Sequence, residues 1–235
     1  MKKIFILIFP LLFLNISLNA QHKEPIIIEA GTPFLDYFTF SERYLYPEFK
    51  TGIILFNMNT YTERKLNYNY LIGEMEFLDN HDTLVIKNNN DIKSVIVDQD
   101  TFYCDNGYIL QIRDKYPKVG LKEFIEFKGI NKKDSYGVIS ETSATFTLNA
   151  LPSDGNYYKL NANRDLKFQR TKMYYISTFG NSFVPFNKRN LFKLYSRNRE
   201  TIKSFLKTNK TKFDSEDDLL KLADYLGTLQ QHQSP

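Results

Sequence analysis

Tryptophan is absent from the 235-residue sequence, cysteine occurs once and histidine three times. A single cysteine excludes a disulfide scaffold, a multi-cysteine zinc site and an iron–sulfur cluster. His22, His81 and His232 fall near the two ends and in one polar turn, so no two share a metal-ligand spacing and no His-Glu-x-x-His occurs. There is no Gly-x-Ser-x-Gly elbow, and His81 is the one internal base, so a serine hydrolase lacks its parts. No Gly-x-Gly-x-x-Gly and no Gly-x-x-x-x-Gly-Lys is present, which removes nucleotide-driven chemistry. The missing tryptophan also takes away the favoured flat platform for sugar rings. No cofactor and no metal are expected.

Phenylalanine and tyrosine are abundant, with 20 and 16 residues, in a chain that is 42% hydrophobic and 25% charged. That composition is globular, of one or two domains. Residues 1–20 have the three-part layout of a secretory signal: Met1-Lys2-Lys3, an apolar run from Ile4 to Leu14, and a polar stretch ending at Ala20. The apolar run is shorter than the ~20 residues needed to span a bilayer, so cleavage after Ala20 and export are expected, to the periplasm or the outer surface. With Cys104 far from that junction, no lipid anchor is expected. No transmembrane span is expected in the mature chain.

From Thr51 to Phe186 short β-like runs alternate with Asn, Asp and Gly clusters, which predicts an antiparallel, hairpin-connected sheet of roughly ten to twelve strands. Leu66, Tyr68 and Tyr70 alternate with Lys65, Asn67 and Asn69, so period two predicts one buried and one solvated face. Further hairpins are expected across Asn59-Thr60, Asp79 to Asp82, Asn88-Asn89-Asn90 and Asp105-Asn106-Gly107, where Asn-Gly favours positive φ. Longer strands are expected over Leu121 to Lys128 and Gly137 to Leu148. After a turn at Leu151 to Asn156 come runs over Tyr157 to Leu160, Asp165 to Arg170 and Lys172 to Ser177.

The pattern changes at Pro185-Phe186-Asn187. Asn187 is a candidate cap for a helix carrying Leu191, Phe192, Leu194 and Tyr195, and a second helix carries Ile202, Phe205 and Leu206. Ser215 and Asp218 resemble a capping box for a third, with Leu219, Leu222, Ala223 and Leu226 on one face and Gly227 as its end. The organisation expected is a signal peptide (1–20), an extended segment (21–50), an antiparallel β domain (51–186), a helical subdomain (187–229) and a polar tail (230–235). The fold class is mainly β with a short C-terminal helical cap (α+β).

Gly52-Ile53-Ile54-Leu55-Phe56, Lys65 to Asn69, Gly73 to Phe77 and Asp82-Thr83-Leu84 resemble the N-terminal strands of small exported β-rich envelope proteins of Bacteroidota. Ile202 to Asn209, Glu216 to Leu222 and Tyr225-Leu226 resemble the helical ending of the same uncharacterised group. The resemblance covers about a third of the mature chain and implies an envelope location without an activity. Asp82-Thr83-Leu84 also resembles the three-residue O-glycosylation signal of such organisms, which makes Thr83 a candidate acceptor.

Charge is distributed unevenly. Residues 21–163 carry 15 basic and 20 acidic residues, residues 164–212 carry 13 and 2, and residues 213–235 carry 1 and 5. In an exported protein a basic block faces anionic lipid headgroups, acidic glycans or an acidic protein rather than nucleic acid. The candidate partner-binding residues are Arg170, Lys172, Lys188, Arg189, Lys193, Arg197 and Arg199, joined by one exposed tyrosine from each adjacent pair, Tyr157/Tyr158 and Tyr174/Tyr175, whereas Tyr44/Tyr46 and Tyr68/Tyr70, spaced by two, share one face and read as core or sheet surface. The expected role is therefore a non-catalytic envelope protein binding a protein partner or an anionic envelope surface, with peripheral membrane contact included. The alternative is a carrier or sensor enclosing a lipid or other apolar ligand within the sheet. A hydrolase using dispersed carboxylates is a third reading. Its best pair, Glu74 and Glu76, lies ~6–7 Å apart along one strand face, on the side expected to be solvated. Cys104 is expected to be a buried core residue, since nothing near it lowers a thiol pKa.

Overall fold

The computed structural model describes residues 25–80, 82–87, 89–105, 107–133, 139–142, 165–178 and 182–231. The signal-like segment 1–20, the three histidines, most of Gly137 to Leu148, the turn at Leu151 to Asn156 and Tyr157 to Leu160 lie outside the described residues.

The fold is mainly β. Strands β2 (Lys50–Phe56), β3 (Tyr61–Asn69), β4 (Glu74–Asp79) and β5 (Asp82–Val85) form one meander. A second meander comprises β6 (Ile92–Val97), β7 (Asp100–Cys104), β8 (Tyr108–Arg113) and the 15-residue β9 (Val119–Lys133). They join where β2 pairs with β6. Beyond β9 lies β11 (Asp165–Ser177), whose far edge holds β1 (Ile26–Ile28) at one end and β12 (Phe183–Pro185) at the other; β10 (Ile139–Thr142) pairs with β9. These make a 12-stranded antiparallel sheet.

The turn chemistry explains the meanders. Asn59 (φ 57°), Asn80 (φ 55°) and Gly107 (φ 105°) adopt the left-handed backbone that tight hairpins require and that Asn and Gly tolerate best. One predicted hairpin does not form: across Asn88 to Asn90, β5 and β6 are not partners. β5 stays at the sheet edge on β4, and β6 crosses back to the free edge of β2. Burial explains this, because Val95 and Val97 of β6 are fully buried whereas β5 has no fully buried residue. The two runs expected at Asp165 to Arg170 and Lys172 to Ser177 are one strand, β11, with a register shift at Lys167/Phe168.

The sheet is open and strongly curled. Four strands separate β3 from β9, yet the Ile125 amide donates to the Tyr70 carbonyl at 2.7 Å and the Tyr68 hydroxyl donates to the Glu123 carbonyl at 2.9 Å. Rings fill the curl: Tyr68 stacks on Phe102 with centroids 5.7 Å apart, and Phe34 and Phe38, tilted against each other at 4.9 Å, both meet Phe168 edge-on at 5.7 and 5.8 Å. Phe34 and Phe38 come from the segment expected to be extended. Its described part instead contains β1 and two short helices, α1 (Phe34–Tyr37) and α2 (Phe40–Arg43), the latter with a Thr39/Glu42 capping box.

The helices pack where β9 and β11 run past the curl. α3 (Lys188–Leu194) starts at Asn187, whose side chain accepts from the Asn190 amide at 2.9 Å. α4 (Arg199–Thr208) and α5 (Glu216–Gln231) follow. Leu191, Ile202, Leu219, Leu222 and Leu226 are wholly buried against Val119 and Ile176. Gly227 does not end α5, which continues to Gln231. A Cβ there would sit 3.2 Å from the Tyr116 carbonyl oxygen, so the glycine serves close helix-to-loop packing instead. Among the described residues no helix is long and apolar enough to cross a membrane.

Candidate functional site

The basic residues that the sequence groups together separate in space into two sets. Lys172 lies on β11 opposite Glu123 of β9, and Arg170, opposite Ile125, is diagonal to it. Arg170 pairs with Glu123 at 2.8 Å and lies over the Tyr70 ring at 3.9 Å, and Lys172 approaches the same carboxylate at 3.8 Å. This is a partly exposed ion-pair group on the sheet, its charge shared with Glu123, and Lys172 itself is exposed.

The other five, Lys188, Arg189, Lys193, Arg197 and Arg199, are all exposed on α3, the 3₁₀ turn Ser196–Asn198 and the start of α4. Among the described residues none of the five is held in an ion pair. Residues 188–212 contain nine Lys or Arg and one acid, Glu200. Glu200 is paired with Lys203 at 2.7 Å; this hydrogen bond, with the charges of Lys203 and Arg199, holds its carboxyl below the usual range. Amphipathicity produces the face: Leu191, Tyr195 and Ile202 are buried inward, which turns the cations outward.

A cleft of about 400 Å³ opens in this face, lined by Lys188, Lys203, Leu206, Lys207, Thr211 and Phe213. Lys203 and Lys207 are one helical turn apart, so both ammonium groups sit on the same side of α4. Lys188 connects cleft and face, with its Nζ 5.9 Å from the Phe192 ring centroid while the Arg199 guanidinium lies 5.0 Å from the same ring. Sequence reading located the basic block but not Lys203, Lys207, Thr211 or Phe213 within it. The i, i+4 lysine spacing beside Leu206 was the available signal.

The carboxylate pair is placed differently from expectation. Glu76 is only 2% exposed, and accepts from the Tyr44 hydroxyl at 2.6 Å and the Asn69 amide at 3.1 Å. Asn67 and Asn69 are wholly buried as well. The polar face of β3 is covered by the chain around residues 44–48, whose backbone Asn67 satisfies through the Tyr46 amide and the Tyr46 and Glu48 carbonyls. Glu76 thus has a structural role, bonded by Asn69 of the adjacent strand and by Tyr44 of the covering segment.

The tyrosines are also mostly internal. Tyr44, Tyr46, Tyr68, Tyr70 and Tyr174 are buried and Tyr175 is half-buried, so the described tyrosine pairs offer no exposed recognition surface. Burial, reinforced by nearby carboxylates, raises the phenol pKa values of Tyr46, Tyr68 and Tyr108, and takes that of Tyr174 up to about 12. Cys104 is half-buried rather than fully buried, and desolvation, aided by the Glu74 charge, pushes its thiol up to about 12. A thiol so shifted is a poor nucleophile near neutral pH. Thr83 is exposed on the edge strand β5. Among the described residues no group of three or more His, Cys, Asp or Glu could hold a metal ion.

No family model, no curated protein and no solved structure matches this chain.

Proposed function

We propose that this is an exported envelope protein that docks onto an anionic partner through the basic face of its C-terminal helices. The observation that carries the reading is the set Lys188, Arg189, Lys193, Arg197 and Arg199, all exposed and outside ion pairs on one short stretch of helix. Such uncompensated charge steers association and gives specificity for an oppositely charged surface. The signal-like N-terminus and the resemblance to envelope proteins support the proposed location. The carrier alternative loses ground because Tyr68, Phe102, Tyr108, Phe34, Phe38 and Phe168 occupy the inside of the curl that a lipid would need.

Reversing the five charges to Glu should reduce partner capture from an envelope fraction by more than tenfold, with wild-type capture falling as salt rises. Capture that ignores both salt and the substitutions would overturn the reading. The exposed position of Thr83 supports its use as a glycan acceptor. Intact mass of the exported protein should then fall by one glycan in Thr83→Ala, and an unchanged mass apart from the substitution would remove that role.

A further inference from the structure

Resting on the docking reading above, we propose that the cleft between α3, α4 and the following loop is a phosphate-recognition site for the headgroup of an anionic phospholipid. Three features of the cleft combine. Lys188, Lys203 and Lys207 line one opening, with no acid among the lining residues, so their flexible side chains can bring three ammonium groups to a ligand there. Thr211 adds a hydroxyl that can donate to a phosphate oxygen. Leu206 and Phe213 provide an apolar wall, which suits the hydrocarbon adjoining a headgroup better than a fully hydrated ion.

The volume of about 400 Å³ falls within the range of small-ligand pockets. Lysine contributes point charges with rotatable donors, which complement a tetrahedral phosphate without requiring one fixed approach. One of the three, Lys203, is held by Glu200 on the adjoining turn. Binding would draw that ammonium towards the phosphate while Glu200 stays exposed to water.

The surroundings favour a membrane over a small soluble ester. The cleft continues through Lys188 onto Phe192 and Arg199, and Arg189, Lys193 and Arg197 are exposed on neighbouring turns. A cation-ringed opening with part-buried rings beside it is the composition that rests on an anionic interface.

The test is vesicle co-sedimentation of the signal-free chain, with phosphatidylcholine vesicles and with the same vesicles containing phosphatidylglycerol. Two variants with equal charge loss are compared: Lys188→Gln/Lys203→Gln/Lys207→Gln in the cleft, and Arg189→Gln/Lys193→Gln/Arg197→Gln on the face. All six side chains are exposed, so circular dichroism and thermal midpoints should match wild type. By delocalised attraction alone each cation near a surface contributes about equally, and the two triples would weaken binding alike. The cleft site predicts binding to phosphatidylglycerol vesicles only, weakened at least about tenfold more by the cleft triple than by the face triple.

Equal weakening by both triples would overturn the cleft while leaving the basic-face reading intact. Envelope capture sensitive to the face charges, without any vesicle binding, would overturn the lipid and leave an acidic protein as the partner. Glycerol 3-phosphate binding as tightly as the vesicles would overturn the membrane source. Loss of both vesicle binding and envelope capture from the wild-type protein would remove both readings together.

Discussion

At the scale of single residues, the clearest structural commitments lie where the alternation of β3 misleads. Period two marks Asn67, Asn69 and Glu76 as solvated, and locally the pattern is sound. What it cannot show is a distant loop returning over that face, and only then do two asparagines and a carboxylate become interior bonds. Glu76→Leu should therefore cost about 3 kcal/mol in urea unfolding, since it removes two buried hydrogen bonds to a charged acceptor, from the Tyr44 hydroxyl and the Asn69 amide. A cost within error of zero would show the face to be wet. Gly52 is a second case: a Cβ would lie 2.7 Å from the Ile96 carbonyl oxygen on β6, so Gly52→Ala should destabilise by about 2 kcal/mol. Lys210 runs the other way. It follows α4 with φ 49°, where the Thr211 amide reaches back to the Leu206 carbonyl at 3.2 Å, a helix ending that favours glycine. Lys210→Gly should stabilise by about 1 kcal/mol, and a loss instead would mean that the lysine side chain is itself bonded.

At the scale of elements, hairpins with Asn or Gly at the turn were legible because the backbone demand is local. The partner of β6 was not, since β5 is its neighbour in sequence and only burial of Val95 and Val97 favours the more distant β2. Likewise the helices could be read from caps and stripes, but Gly227 could not be distinguished from a terminator without knowing that Tyr116 lies against it. The Asn187 cap predicts that Asn187→Ala lowers stability by about 1 kcal/mol and that Asp at the same position restores most of it. Because β9 lends Val119 and Leu121 to the helical core and Ile125 to the curled one, helix and sheet should unfold together. Native-state hydrogen exchange tests this: α5 amides opening with the same free energy as β9 are expected, and an independently melting α5 would contradict it.

For the whole molecule, two features govern behaviour: rings buried in the curl and in the helical core, and uncompensated cations on the helical face. The first predicts alkaline sensitivity. The folded state holds Tyr174 at about 12, with Tyr46, Tyr68 and Tyr108 raised as well, whereas an unfolded phenol titrates near 10. Raised pKa values mean that the unfolded chain releases protons first, so their stability contribution is complete below about pH 10 and is lost as pH rises towards 12 and beyond. Beyond the gradual ionisation of exposed tyrosines such as Tyr61 and Tyr116, a second portion of tyrosinate absorbance should appear cooperatively with unfolding; complete ionisation of all tyrosines in an intact fold would contradict the burial. The second feature was legible as a charge block, but its division was not, because the pairing of Arg170 and Lys172 with Glu123 depends on strand register. The measurement that tests the central claim most directly is capture of envelope components by the tagged chain across a salt series, with Lys188, Arg189, Lys193, Arg197 and Arg199 either native or all changed to Glu. The account predicts strong capture at low salt, a steady fall with rising salt, and loss of more than tenfold on charge reversal. Capture equal in both proteins at every salt concentration would contradict it.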